Sequence, residues 1–297
     1  MGGCMMAALQ AVTAFAHEHD LRKSFNKLAR KTFGFDFELL YKSGLWNERY
    51  HTHAFADNTQ IVANVSVSAL TVHINQQKTK AIQIGTVMTD PSYQNQGLAT
   101  QLLQRVIQQY EMDTDLIYLF SRPGVESIYE KLGFTAVQEK LFSIPVSSEP
   151  RPVPDYRKLK PAVNPQDMVV LLDRYGKRHP QSNILDVSDA QHILGFHTLY
   201  DPEIEIIELL EPAALLLYKK IGKTMHLYEV ISQTRLVWRQ IADYVAQPGV
   251  TEVIFHFTPT FADLEPFTHI HTERDTLFVN KPELLPADFQ FPELSHA

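Results

Sequence analysis

Residues 85–100 hold the group in this chain best suited to chemistry on a charged ligand. They read Gly-Thr-Val-Met-Thr-Asp-Pro-Ser-Tyr-Gln-Asn-Gln-Gly-Leu-Ala-Thr, an apolar strand that breaks into a polar turn and opens at once onto an amphipathic helix. In the turn, Gln94, Asn95, Gln96, Gly97, Leu98, Ala99 and Thr100 set small residues where backbone must approach something closely. A helix that starts this way leaves N–H groups unpaired at the positive end of its dipole. That end receives a phosphate or pyrophosphate well. Gln94 and Gln96 are uncharged, so such a ligand would lean on amides rather than on charge-assisted bonds.

Other chemistry-bearing residues point less far. The chain has thirteen histidines, and His51-x-His53 and His269-x-His271 would each share one face of a strand. No Asp, Glu or His nearby completes a ligand set for either pair, so no metal is expected. Cys4 is the single cysteine, which rules out an internal disulfide and a multi-cysteine zinc site. Glu203-x-Glu205 with Glu208 reads as a solvated strand face.

Several elements must position the turn. At 297 residues the chain suits two domains of about 150 residues each. A net charge of -7 argues against a general nucleic-acid or anionic-membrane surface. The apolar run at the start ends at His17-Glu18-His19-Asp20, too early for a membrane span, and a cytoplasmic protein is expected. Apolar spacing predicts helix over 8–31 in two pieces, one on Leu9, Val12 and Ala16, the other on Leu21, Phe25 and Leu28. The aromatics of 33–41, with Trp46, suit core packing or a short segment over a cleft. Strands are predicted over 50–56, 60–74 and 80–89, with turns at Asp57-Asn58 and Asn75-Gln76-Gln77-Lys78. A helix over 97–110, a strand over 116–120, a helix ending at Gly133 and a strand over 134–142 follow. Six prolines within 144–165 read as an extended linker. Beyond it the coarse order repeats, with helices over 166–178, 189–196 and 234–245 and strands over 203–209, 214–221, 224–231, 252–257 and 276–280. Ser232-Gln233-Thr234-Arg235 stands where a second Gly-containing turn would be needed, so a similar fold without a second such site is expected.

On two motifs in the right order the chain resembles the GNAT superfamily of N-acetyltransferases. Residues 87–103 are similar to that superfamily's Arg/Gln-x-x-Gly-x-Gly/Ala motif, and Ile128-Tyr129-Glu130-Lys131-Leu132-Gly133-Phe134 resembles its Tyr-x-x-x-Gly-Phe helix end. The resemblance covers roughly 20–143. Phe25-Asn26-Lys27-Leu28 through Trp46, with Val62-Ala63-Asn64-Val65-Ser66-Val67, further resembles two-domain bacterial members and, more distantly, the enhanced-intracellular-survival acetyltransferases. The fold class implied is α/β, a GNAT fold with a mixed, mostly antiparallel sheet flanked by helices and a second, degenerate GNAT-like domain. The implied division is 1–143 catalytic, 144–165 linker and 166–297 degenerate.

The resemblance also implies roles. Acetyl-CoA would be the co-substrate, with Val87, Met88 and Thr89 along its pantetheine arm and Gln94, Asn95, Gln96, Gly97, Leu98, Ala99 and Thr100 around its pyrophosphate. Arg122 stands where many members place an asparagine that contacts the cofactor, and would supply charge to the phosphates or be solvated. Tyr129 would be the general acid that protonates the leaving thiolate when an amine attacks the thioester directly. The base that first takes the amine's proton is open among Asp36, Glu38, His51, His53, Glu126 and, as in the enhanced-survival relatives, a terminal carboxylate, here at Ala297. The partner expected is a small-molecule or peptide amine, with no nucleic acid and no membrane, and a homo-oligomer is allowed for. Asp36 and Glu38 beside the aromatics lean toward a cationic acceptor. The rival reading is a non-catalytic CoA-binding regulatory module.

Overall fold

The computed structural model describes residues 9–147, 153–270 and 275–297, so Cys4 and His271 lie outside the described residues. The chain opens with a strand rather than a helix. Gln10–Thr13 (β1) pairs antiparallel with Tyr50–Asp57 (β2), Val12 opposite Ala54. Ala14 then turns left-handed at φ 50°, which ends the strand and drops Phe15 into the core. Pairing along an open sheet edge here outweighs the helical spacing of Leu9, Val12 and Ala16. The second stripe does lie on a helix, His19–Phe33 (α1), which buries Leu21, Phe25 and Leu28 and ends at Gly34 with φ 86°.

After the short helix Glu38–Lys42 (α2), Gln60–Ile74 (β3) and Gln77–Thr89 (β4) form a long hairpin. Its two-residue turn, Asn75 at φ 49° and Gln76 at φ 67°, has the positive dihedrals that match strand twist. Leu98–Tyr110 (α3) lays Leu102, Leu103 and Val106 on the sheet. Leu116–Ser121 (β5) then runs parallel to β4, but only Ala81–Ile84 and Leu116–Leu119 pair. The helix Glu126–Lys131 (α4) follows. The single strand expected over 134–142 is two, Thr135–Val137 (β6) and Lys140–Pro145 (β7), and they enter different sheets.

In the second half the proline-rich stretch is not all linker. Tyr156–Leu159 (β8), between Pro154 and Pro161, keeps its own N–H groups and forms a sheet edge. Pro165–Gly176 (α5), Leu185–Ser188 (β9) and Gln191–Tyr200 (α6) come next. Glu205–Leu209 (β10), Ala214–Ile221 (β11) and Thr224–Ser232 (β12) form a meander. The helix expected over 234–245 shrinks to a 3-10 turn and Ala242–Val245 (α7), because the Asp263 carboxylate takes the N–H groups of Trp238 and Arg239 at 2.6 and 3.1 Å. Glu252–Phe255 (β13), Phe267–Ile270 (β14) and Thr276–Val279 (β15) complete the strands.

The two sheets share one plan. The first runs β1-β2-β3-β4-β5-β15-β6, with β9 added to β3, and the second β8-β10-β11-β12-β13-β7-β14. Each has one parallel pair, β4 with β5 and β12 with β13. Next to that pair each takes its sixth strand from the other half of the chain. The exchange is cemented by burial: Phe278 of β15 belongs to the first core, Phe142 and Ile144 of β7 to the second. Each such side chain is worth roughly 1.5–3 kcal/mol of transfer free energy. Residues 1–147 produced alone would leave open edges on β5 and β6, and should aggregate or lack a cooperative unfolding transition in urea. A soluble monomer with a single sharp transition would contradict this account.

Candidate active site

β4 pairs evenly with β3 until Asn64 faces Met88 and Ser66 faces Gly85, which leaves Thr86 and Val87 opposite Val65. Thr86 sits at φ 48°, a left-handed conformation that costs a β-branched residue about 1–3 kcal/mol. The bulge is held from two sides. Fully buried Asn64 donates from Nδ2 to Thr86 O at 3.0 Å and to Ser66 Oγ at 2.9 Å. The Tyr50 hydroxyl stands 2.8 Å from Thr86 Oγ1, and burial pushes its pKa up to about 12. The bulge turns neighbouring residues to different cavities: Thr86 lines one, Val87 the other.

The larger cavity, about 710 Å³, has Val87, Met88 and Thr89 along one wall and the turn after β4 along another. Asn95 at φ 61° and Gly97 at φ 74° are both left-handed, so the chain turns sharply into α3. No side chain caps α3. Gly97, Leu98, Ala99 and Thr100, the uncapped start of this helix, line the cavity. The site therefore fits a phosphate. Lys31, which the sequence reading passed over, also lines it, with Nζ 3.1 Å from Asp90 Oδ2. Only its place on the last turn of α1 could have marked it. Tyr129 stands at the same cavity, 6% exposed, its ring 5.6 Å from Phe278 of the exchanged strand β15. Burial raises the Tyr129 pKa, which keeps the phenol protonated.

The second cavity, about 150 Å³, is walled by Phe33, Phe35, Phe37 and Phe196. Ala297 reaches it too. Its N–H is donated to Gln83 Oε1, and Gln83 Nε2 donates to Ser295 O at 3.2 Å. A Cβ on Gly85 would meet Ala297 O at 3.0 Å, so only glycine allows this approach without a shift. His192 of α6 lines the cavity at 2% exposure, with neither ring nitrogen hydrogen-bonded. Burial, with Arg49 and His51 adding to it, lowers its pKa to about 3, so the imidazole is neutral. Arg122, expected at the phosphates, lines this aromatic cavity instead, its guanidinium 5.5 Å from the Phe33 ring centre.

The other candidate bases are engaged elsewhere. Asp36 pairs with Arg30, and Glu38 Oε2 accepts from Arg22 and Asn26 at 3.3 and 3.0 Å in a separate pocket. Both carboxylates therefore turn away from the aromatic cavity, which removes the basis for a cationic acceptor. Glu126 accepts the Gly124 N–H at 2.7 Å. His51 and His53 lie beside Tyr110, and burial lowers His53 to about 4. Among the described residues no group of three or more His, Cys, Asp and Glu is placed to hold a metal ion.

In the second half the corresponding turn is taken up by the chain itself. Gln181 donates to Thr234 O at 3.2 Å and accepts from the Leu236 N–H at 3.3 Å, and the His179 N–H reaches Ser232 O at 2.7 Å.

Residues 15–137 match the family model of the acetyltransferase (GNAT) domain. The chain carries a GNAT acetyltransferase domain. No curated protein matches the sequence. Among solved structures it is similar to a GCN5-related N-acetyltransferase from Kribbella flavida, with TM-score 0.58 at 14% identity over 95% of this chain and 74% of that one. A conserved protein of Enterococcus faecalis gives TM-score 0.63 at 14% identity, over 92% and 72% of the two chains. Eis1 from Mycobacterium abscessus gives 0.59 at 13% identity, over 92% and 73%. At such identities the likeness is one of fold, and it runs through both halves, so the second half is GNAT-like as well. The matched GNAT acetyltransferase domain implies acyl transfer from an acyl-CoA. Gly85→Val would push the chain end off β4, and should cost about 1–3 kcal/mol of stability. It should also speed amide exchange at Ala297, whose N–H Gln83 now holds; unchanged exchange would show the contact to be incidental.

Proposed function

We propose that the GNAT domain transfers an acetyl group from acetyl-CoA to a primary amine that attacks the thioester directly. The larger cavity serves as the donor site. Backbone groups of Val87, Met88 and Thr89 run along the pantetheine arm, and amides of Gln94, Asn95, Gln96, Gly97, Leu98, Ala99 and Thr100 receive the pyrophosphate. The fit is supported by the uncapped start of α3, whose first residues line this cavity. Lys31 stands at the rim, paired with Asp90, so the amides carry most of the contact. The aromatic cavity serves as the acceptor site.

One observation carries the mechanism: the two cavities adjoin on β4 at Thr86 and Val87, with Tyr129 on the donor side and Ala297 on the acceptor side. The main-chain carboxyl of Ala297, in the 297-residue chain, accepts the proton that the attacking amine must lose. The nitrogen bonds to the acetyl carbon as the C–S bond breaks, the Tyr129 hydroxyl proton passes to the departing sulfur, and the second proton that the nitrogen sheds as the amide forms returns to the phenolate. A buried, protonated phenol is suited to that transfer.

Tyr129→Phe should lower kcat by about 10²–10⁴ with acetyl-CoA affinity unchanged. Because burial raises the phenol's pKa, the wild-type rate should stay level through pH 9 and fall only above the ordinary tyrosine range. Normal turnover by the Phe variant would remove Tyr129 from the mechanism. Appending two glycines after Ala297 moves the carboxyl out of the cavity, and should reduce kcat while acetyl-CoA still binds. Full activity in the extended chain would exclude the Ala297 carboxyl as the base.

A further inference from the structure

We infer that the acceptor is a small zwitterion, an α-amino acid with an aromatic or branched apolar side chain. This rests on reading the aromatic cavity as the acceptor site. Its size comes first: about 150 Å³ is the volume of an apolar cavity that takes a single benzene ring. Its walls come second. Phe35 and Phe37 meet Phe196 at 5.4 and 5.6 Å between ring centres, the latter pair stacked, which makes a stiff slot for one ring or a branched chain.

Charge narrows the class further. No Asp or Glu side chain is among the residues lining the cavity. The two acidic side chains nearest along the chain, Asp36 and Glu38, are bound to Arg30 and to Arg22 with Asn26. His192 adds a polar edge without charge. Arg122 is the one charged side chain on the lining, and it forms no ion pair among the described residues. A guanidinium so placed matches a carboxylate in a two-pronged geometry. With Arg122 for a carboxylate, the Ala297 carboxyl for an ammonium and the phenylalanines for a side chain, the cavity offers one partner to each part of an amino acid. A polyamine would bury a second ammonium with no second anion to meet it, which is costly. The α-ammonium nitrogen gains the acetyl group and loses two protons, one to the Ala297 carboxyl and one that ends, through Tyr129, on the sulfur of CoA, which leaves as the thiol; the product is an N-acetyl amino acid.

The test measures CoA release by the full chain from acetyl-CoA with phenylalanine, leucine, phenethylamine and spermidine, and acetyl-CoA binding by calorimetry. Phenylalanine and leucine should turn over, with kcat/KM at least about tenfold above phenethylamine, which lacks the carboxylate, and spermidine should give background rates. Arg122→Gln should shrink the phenylalanine-to-phenethylamine ratio by at least about tenfold and leave acetyl-CoA affinity unchanged. Preference for spermidine, an unchanged ratio in Arg122→Gln, or tight acetyl-CoA binding with turnover of none of the amino acids would each overturn the inference and leave the donor site standing. Failure to bind acetyl-CoA at all would instead overturn the reading on which it rests.

Discussion

Most of this molecule is arranged around the place where β4 and β5 part. They pair over four residues, Ala81–Ile84 against Leu116–Leu119, and then diverge. Two diverging strands leave N–H and C=O groups that must find other partners or water. On one side the gap is a cleft that a ligand's own polar groups can enter. On the other it is closed by the chain end, whose Ser295 and Ala297 are tied to the side chain of Gln83 on β4 itself. The bulge at Thr86 then lets consecutive residues of β4 serve two cavities. Strain at one β-branched residue, held by Asn64 and Tyr50, thus sets the geometry of both.

The second half repeats the parting and seals it. Between β11 and β12 the register slips at Tyr228, since Leu217 faces Glu229 while Tyr218 faces Leu227. Beyond the parallel stretch, the His256 N–H bridges to Leu227 O at 2.9 Å, and the Glu293 N–H reaches His256 O at 2.9 Å. Near Glu229, at the slip, lies a buried Arg178–Asp186 pair at 2.5 Å. The same plan therefore gives one open cleft and one closed. The closed one anchors the final segment: Phe289 O accepts from the Lys140 N–H at 2.9 Å, and His197 Nε2 donates to His296 O at 2.9 Å. Through these contacts the second half decides where Ala297 stands, so its influence on the site runs through backbone placement rather than side-chain chemistry.

What the sequence made legible was local. The hairpin turn at Asn75-Gln76, the glycine start of α3 and the Tyr129 helix each depend on a few adjacent residues, and each lies where local pattern puts it. Pairings between distant segments were not legible. β1 and β9 are four residues long, too short for a periodic signal, and exist because β2 and β3 offer them edges. The exchange of β7 and β15 requires two segments more than a hundred residues apart to be read together. Side-chain direction escaped for the same reason. Asp36 and Glu38 sit beside the aromatics in sequence, but Arg30 and Arg22 on α1 claim them. Arg122 follows β5, and only the packing of Phe33 against it shows which cavity it serves.

The distribution of charge makes chemical sense of the two cavities. A chain of net charge -7 repels a polyanion at long range. Close to the larger cavity that repulsion is eased, because Lys23, Lys27, Arg30 and Lys31 of α1, together with Asp20 and Asp90, line an adjoining pocket of about 590 Å³, and Lys31 belongs to both. The aromatic cavity follows the opposite rule, with a neutral imidazole, ring faces and a single guanidinium. An apolar wall of this kind favours the neutral form of a nitrogen, as it does at His192.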